Sequence, residues 1–147
     1  MHLVVDGKGC PLAVHVSAGQ CSESRYVETV MRKVRVQQLR GRPRWRPEHL
    51  AGDKGYSYPR IRRWLKDHGI TPVISQRKDH RLKHRHHPLP FNRRLYRRRN
   101  VIERCVGWLK ENRRIATRYE KLAVNYEGMF KLAMIQRYLH MPISNRA

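Results

Sequence analysis

Short β-branched runs alternate with apolar stripes of helical period along this chain, and that alternation restricts it to a layered α/β fold. Leu3-Val4-Val5 and Leu12-Ala13-Val14-His15-Val16 are strand-like, and the Asp6-Gly7-Lys8-Gly9 step between them is a turn signal, so a hairpin is predicted over residues 3–16. Tyr26, Val27, Val30, Met31 and Val34 recur at three- and four-residue spacing, as one buried helical face requires, which predicts a helix over 23–37. A basic loop with Gly41, Pro43 and Pro47 follows, and then a strand over 49–53 that stops at Gly55. Pro59 suits the first turn of a helix over 59–68, Gly69 ends it, and Thr71-Pro72-Val73-Ile74-Ser75 reads as a strand over 71–75. This strand, helix, strand unit puts Asp53 at a strand end, the place where open α/β folds carry their chemistry.

A chain of 147 residues has room for one domain with a modest core. Thirty-three Lys and Arg against eleven Asp and Glu leave a formal charge of +22, far beyond what solubility needs, so a polyanion, nucleic acid above all, is the expected partner. Cys10, Cys21 and Cys105 form no Cys-x-x-Cys pair, which excludes a disulfide framework and a cysteine zinc site. No apolar run reaches the roughly 20 residues of a membrane span, and the first residues lack a basic signal region. A cytoplasmic, nucleoid-associated protein without a membrane partner is expected.

Residues 76–94 have no apolar period and are predicted to form a basic loop; between Gln76 and Arg99 there are ten Lys or Arg and four His against the single acid Asp79. Such a segment suits phosphate contact, although exposed basic loops in general look alike. His80, His84, His86 and His87 are irregularly spaced among cations, which argues against zinc. Arg40-Gly41-Arg42-Pro43 has the look of a minor-groove hook but reads more simply as a connector. Trp45 and Trp64 could stack on bases, whereas Trp108 falls on an apolar helix side. Helices are predicted over 95–117, with Leu95, Ile102, Val106 and Leu109 on one stripe, and over 122–139, where Met129, Met134 and Ile135 are expected to pack the domain.

On the first of these helices Tyr96, Arg99, Glu103 and Lys110 fall within an arc of roughly 60° at 100° per residue. Glu103 then lies at the rim of the apolar face, where a carboxylate can be held rigidly and still meet a metal ion. Arg97, Arg98 and Arg104 surround it, so it could equally serve only to neutralise its neighbours.

The spacing Tyr96, Arg99, Glu103, Lys110, taken with Asp53-Lys54-Gly55-Tyr56, resembles bacterial insertion-sequence transposases of the DDE class, in the branch marked by a Tyr-Arg-Glu-Lys signature and an Asp-x-Gly-Tyr motif. The resemblance covers nearly the whole chain. It implies an RNase H-like (retroviral integrase-type) catalytic domain in which two Asp and one Glu hold two Mg²⁺ or Mn²⁺ ions for in-line phosphodiester displacement. By position it makes Asp53 and Glu103 catalytic metal ligands. Arg99 and Lys110 would hold transposon-end phosphates and Tyr96 would position DNA; Arg98, Arg104, Arg113 and Arg114 are further expected DNA contacts.

In relatives the first Asp sits on a central strand that precedes the opening hairpin, and this chain begins at that hairpin. The domain is therefore expected to be N-terminally incomplete, without its first central strand and with two of three carboxylates. Asp6 reads as a turn residue and not as a substitute. The implied function is DNA transposition at terminal inverted repeats and target DNA, weak or absent in this chain alone, with an upstream-frame transposase half or a homodimer as partner. The alternative is a non-catalytic DNA-binding remnant or an inhibitor of full-length transposase.

Overall fold

The structure, a computed structural model, describes residues 1–18, 23–77 and 89–140. Strands β1 (His2–Val5) and β2 (Pro11–His15) form an antiparallel hairpin with Leu3 opposite Val14 and Val4 opposite Ala13. Asp6 closes it: one carboxylate oxygen accepts the N–H of Lys8 and of Cys10, each at 2.8 Å, and Gly9 takes φ 87°, a region that favours glycine. The reading of Asp6 as a turn residue holds.

A 3-10 turn at Glu23–Tyr26 leads into α1 (Val27–Lys33), which buries Val27, Val30 and Met31. The helix predicted over 23–37 is thus shorter at both ends. Val34 turns extended (ψ 129°) so that its side chain stays in the core, and Val36 exchanges two 2.8 Å backbone hydrogen bonds with Arg44. An alternating Val34-Arg35-Val36 sequence suits this pleated arrangement better than a last helical turn.

Strands β3 (His49–Gly52) and β4 (Thr71–Ile74) pair in parallel, joined by α2 (Pro59–Asp67), which carries Pro59 in its first turn. Gly69, at φ 69°, ends α2 while Ile70 N–H reaches back 2.8 Å to the Leu65 carbonyl. These elements match the predicted unit to within a residue at each end. The core of the expected basic loop, with its four histidines, lies outside the described residues, as does Cys21.

The helix predicted over 95–117 is three pieces: α3 (Arg93–Arg97), α4 (Asn100–Glu111) and α5 (Arg113–Ala116). Between α3 and α4 the bonds tighten to a three-residue reach, from Arg98 N–H to Leu95 C=O through Ile102 N–H to Arg99 C=O. Asn112 breaks the second junction: its backbone turns extended (ψ 104°) and its carbonyl accepts from Ile115, whose side chain enters the core. Helix α6 (Ala123–Leu139) closes the chain, burying Tyr126, Phe130 and Ala133. Met129 and Met134 pack against the core as expected, but Ile135 is 55% exposed and belongs to the outer face.

Three layers result. Ala13 of β2, α1, α2 and β4 share one apolar cluster, with Val4 and Leu50 against it. Val14 of β2, α4, α5 and α6 share a second, with Leu3 and Val5 against it. Successive residues of β1 and β2 therefore feed opposite clusters, as strand alternation requires. The middle layer consists of two separate two-stranded sheets. No described helix is long and apolar enough to cross a membrane.

Candidate functional site

Tyr96, Arg99 and Glu103 meet despite the break in the helix. The Arg99 guanidinium lies 5.5 Å from the Tyr96 ring centre and forms an ion pair with Glu103 at 2.9 Å. Arg99 is half-buried, and Glu103 is 60% exposed on the outer side of α4. The ring and the carboxylate thus hold the guanidinium from two sides, and Glu103 presents its remaining acceptor capacity to solvent. Lys110 is exposed two turns further along α4 and makes no described contact with the other three. Arg98, Arg104, Arg113 and Arg114 are exposed as well, and Arg114 sits 5.8 Å from the Tyr119 ring centre. Opposite them Cys105 and Leu109 are buried, and the outward face of α4 carries Glu103 and Glu111 as well as Arg104 and Lys110.

Asp53 ends β3 in extended conformation (φ −71°, ψ 166°) and caps a 3-10 turn at Lys54–Tyr56. Its carboxylate accepts the Lys54 N–H at 2.6 Å and is exposed. No described hydrogen bond or ion pair joins Asp53 to Glu103. Among the described residues no group of three or more His, Cys, Asp or Glu could hold a metal ion. The two carboxylates that the sequence singles out do not by themselves make a two-ion site.

The chain matches, over residues 1–136, the family described as transposase DDE domain. It belongs to the DDE transposase domain family. A Burkholderia cepacia protein whose name assigns it as transposase for insertion sequence element IS402 is 33% identical over 132 residues, which is 89% of this chain. The match takes in 58% of that protein's length, so this chain spans little more than half of its relative. No solved structure matches the chain.

Within this DDE domain, two groups that sequence reasoning passed over organise the surroundings of the hairpin. Glu127 of α6 accepts from Lys33 Nζ (2.8 Å), Lys131 Nζ (3.2 Å) and the Val16 N–H (3.4 Å), tying α6 to α1 and β2. Burial pushes its carboxyl upward, but the hydrogen bonds from Lys33, Lys131 and Val16 outweigh that and hold it at about 2. It is the one acid in the last helix, and that isolation was a usable signal. His2 is buried beside Tyr26 (4.8 Å between ring centres), with Nε2 2.8 Å from Ser17 Oγ. Burial first, then the terminal ammonium and His15, push its imidazole down to about 4. Nothing in the local sequence marks His2 as neutral. Trp45 and Trp64 pack against the first apolar cluster together with His68, whose ring centre lies 4.2 Å from that of Trp64. Trp108 lies against the second cluster under the Arg137 guanidinium at 4.8 Å.

Proposed function

We propose that this chain is part of an RNase H-like transposase catalytic domain that binds insertion-sequence ends and target DNA along the cationic face of α3, α4 and α5. The observation that carries the reading is the one-sided placement of Arg98, Arg104, Lys110, Arg113 and Arg114, all exposed along elements whose other side is core. Regularly displayed guanidinium groups on a rigid element suit a phosphate backbone, and each phosphate neutralised releases counterions. Tyr96 and Arg99 serve as the anchored start of that face. The order of elements, a hairpin followed by a helix and then a parallel strand, helix, strand unit with helices on both sides, supports the RNase H-like assignment.

In a complete site of this family Asp53 and Glu103 would be ligands for two Mg²⁺ or Mn²⁺ ions, which supply Lewis-acid activation of the attacking oxygen. Among the described residues no third His, Cys, Asp or Glu joins them in such a set. Transposition therefore belongs to an assembly with further ligands. A second reading follows from the same absence: by itself the chain occupies transposon ends on bacterial DNA, or inhibits full-length transposase, without cutting.

Fluorescence anisotropy with a labelled terminal-inverted-repeat duplex, across a salt series, tests the DNA face. Replacing Arg98, Arg104, Arg113 and Arg114 together by Ala is expected to reduce the slope of log K against log salt by about 3 to 4. An unchanged slope removes this face from the interface. Mg²⁺-dependent nicking by the chain alone, lost in Asp53→Ala, would overturn the incomplete-site reading.

A further inference from the structure

Trp45 and Trp64, the rings that the sequence offers for stacking on bases, are both committed to an apolar cluster. The most exposed aromatic ring among the described residues is instead Tyr119, at 72%. It stands at the turn from α5 to α6, and the backbone there accounts for its exposure. Arg118 N–H donates to the Ile115 carbonyl and Tyr119 N–H to the Arg114 carbonyl, each at 3.3 Å. This is the paired closure of a helix end that usually has glycine where Arg118 stands. Arg118 takes that position at φ 49°, a left-handed conformation that disfavours any side chain. The residue that follows ordinarily packs an apolar side chain back on the last helical turn. Here it is Tyr119, and what meets its ring is the Arg114 guanidinium, 5.8 Å from the ring centre.

A second cation and ring fix the turn from the inside. The Arg118 guanidinium lies 5.8 Å from the centre of the Tyr126 ring, and the Tyr126 hydroxyl donates to the Ile115 carbonyl at 2.8 Å. Tyr126 is buried, so this turn is anchored to the core through α6. Tyr119 is therefore an open ring on a fixed mount. Around it Arg113, Arg114, Arg118 and Lys121 are exposed cations, and half-buried Glu120 is the single acid between residues 113 and 121.

We propose that Tyr119 is a stacking platform for one unpaired DNA base, placed beside Arg114 at the end of the cationic face of α3 to α5. The proposal rests on the DNA-binding reading given above and adds to it a contact made to a base and not to a phosphate. An apolar protein partner fits the ring less well, because docking it would bury four cations with one acid among them. Unpaired DNA supplies what both kinds of group lack: a π-face for the ring and phosphates for the guanidinium groups. A base inside a duplex is already stacked on both sides, so only a base in a flap, a bulge or a frayed end has a face free for the ring. Stacking accepts every base, so the platform adds affinity for unpaired DNA without adding sequence preference.

The test titrates the whole chain into a blunt duplex and into the same duplex with a short single-stranded flap carrying 2-aminopurine, whose fluorescence falls on stacking. The chain is expected to prefer the flapped duplex about fivefold or more, the low end of what one stacked base contributes, and to quench the 2-aminopurine. Tyr119→Ala is expected to lose the preference and the quench while keeping its affinity for the blunt duplex and the salt slope, since no charge is removed. Tyr119→Phe is expected to keep both, because the ring and not the hydroxyl stacks. The side chain is exposed, so both variants should share the parent's circular dichroism spectrum and Tm. Equal affinity for blunt and flapped DNA, or a preference and quench that survive Tyr119→Ala, would overturn the proposal. Loss of self-association in Tyr119→Ala with the flap preference intact would also overturn it, by assigning the ring to a protein surface. A Tyr119-dependent quench together with an unchanged salt slope in the fourfold arginine variant would support the platform and reject the helical face, so the two failures are distinguishable; no binding to either DNA rejects both.

Discussion

Replacing Glu127 by Gln measures how firmly α6 is tied to the hairpin. The carboxylate receives Lys33 at 2.8 Å, Lys131 at 3.2 Å and the Val16 N–H at 3.4 Å, and its side chain is 16% exposed. Its carboxyl is lowered from 4.5 to about 2, and at about 1.4 kcal/mol per unit this corresponds to about 3 kcal/mol. Lys33 and Lys131 stand 38% and 62% exposed, so solvent screening reduces the figure to on the order of 2 kcal/mol. A group whose pKa is depressed on folding contributes its full stability above its unfolded value and loses it as pH falls through the folded value. The contribution is thus complete above 4.5 and gone below about 2. Urea unfolding followed by circular dichroism is expected to place Glu127→Gln about 2 kcal/mol below the parent at pH 7, equivalent to about 6 °C in Tm. The two proteins should converge as pH falls through that window. A gap that stays constant down to the acid end, or no gap at neutral pH, would refute the assignment of this carboxylate as the tie.

Two other groups of measurements follow from the same packing. The His2 ring resonances are expected to titrate near 4, and because the fold favours the neutral ring, stability should fall as pH drops from 6.5 to about 4. A His2→Gln chain should lack that slope. Met31→Ala and Phe130→Ala each truncate a side chain 1% exposed, at an expected cost of about 2–5 kcal/mol. They should differ in place: hydrogen exchange should accelerate first in β3, β4 and α2 for Met31→Ala, and first in α5 and α6 for Phe130→Ala, since the two side chains belong to separate clusters.

The parts of this fold that the sequence disclosed are those governed by local chemistry. Asp6 and Gly9 make the hairpin turn, Pro59 and Gly69 bracket α2, and the stripe of Val27, Val30 and Met31 defines α1. What it hid depends on neighbours distant in the chain. Val36 leaves the helical pattern because Arg44 is there to bond it, and Ile115 turns the last part of the signature segment because a cluster built by α6 awaits it. The apolar period through 95–109 is real, yet it does not reveal that the backbone tightens at 98–102. At the candidate site, spacing alone anticipated that Tyr96, Arg99 and Glu103 lie side by side, because i, i+3 and i, i+4 neighbours survive a tightened turn. Lys110 is too far along α4 for that spacing to imply contact. Glu127 stands out as the one acid of α6 with Lys131 a turn further on, but its other partners, Lys33 and Val16, come from distant parts of the chain, so the size of its shift was not legible locally.

Five of the eleven acids of this chain are engaged within the fold, and that shapes its response to salt. Asp6 serves the turn, Glu28 pairs with Arg60, Glu48 with Arg44, Glu103 with Arg99, and Glu127 with Lys33 and Lys131. These pairings leave most of the thirty-three Lys and Arg without a counter-charge from the protein itself. The excess repels itself in the compact state, so added salt should stabilise the free chain by screening. On the proposed reading a DNA duplex along α3 to α5 would relieve the same repulsion, and binding at a hundredfold excess over Kd would add about 2.7 kcal/mol if the unfolded chain did not bind. Any binding of DNA to the unfolded polycation would lower that gain. Salt then acts with opposite sign on the complex, because it strips the duplex from the face before it can screen the bare cations. A thermal scan with and without duplex across a salt series should therefore show two lines that approach each other as salt rises, and parallel lines would mean that the duplex binds folded and unfolded chains alike.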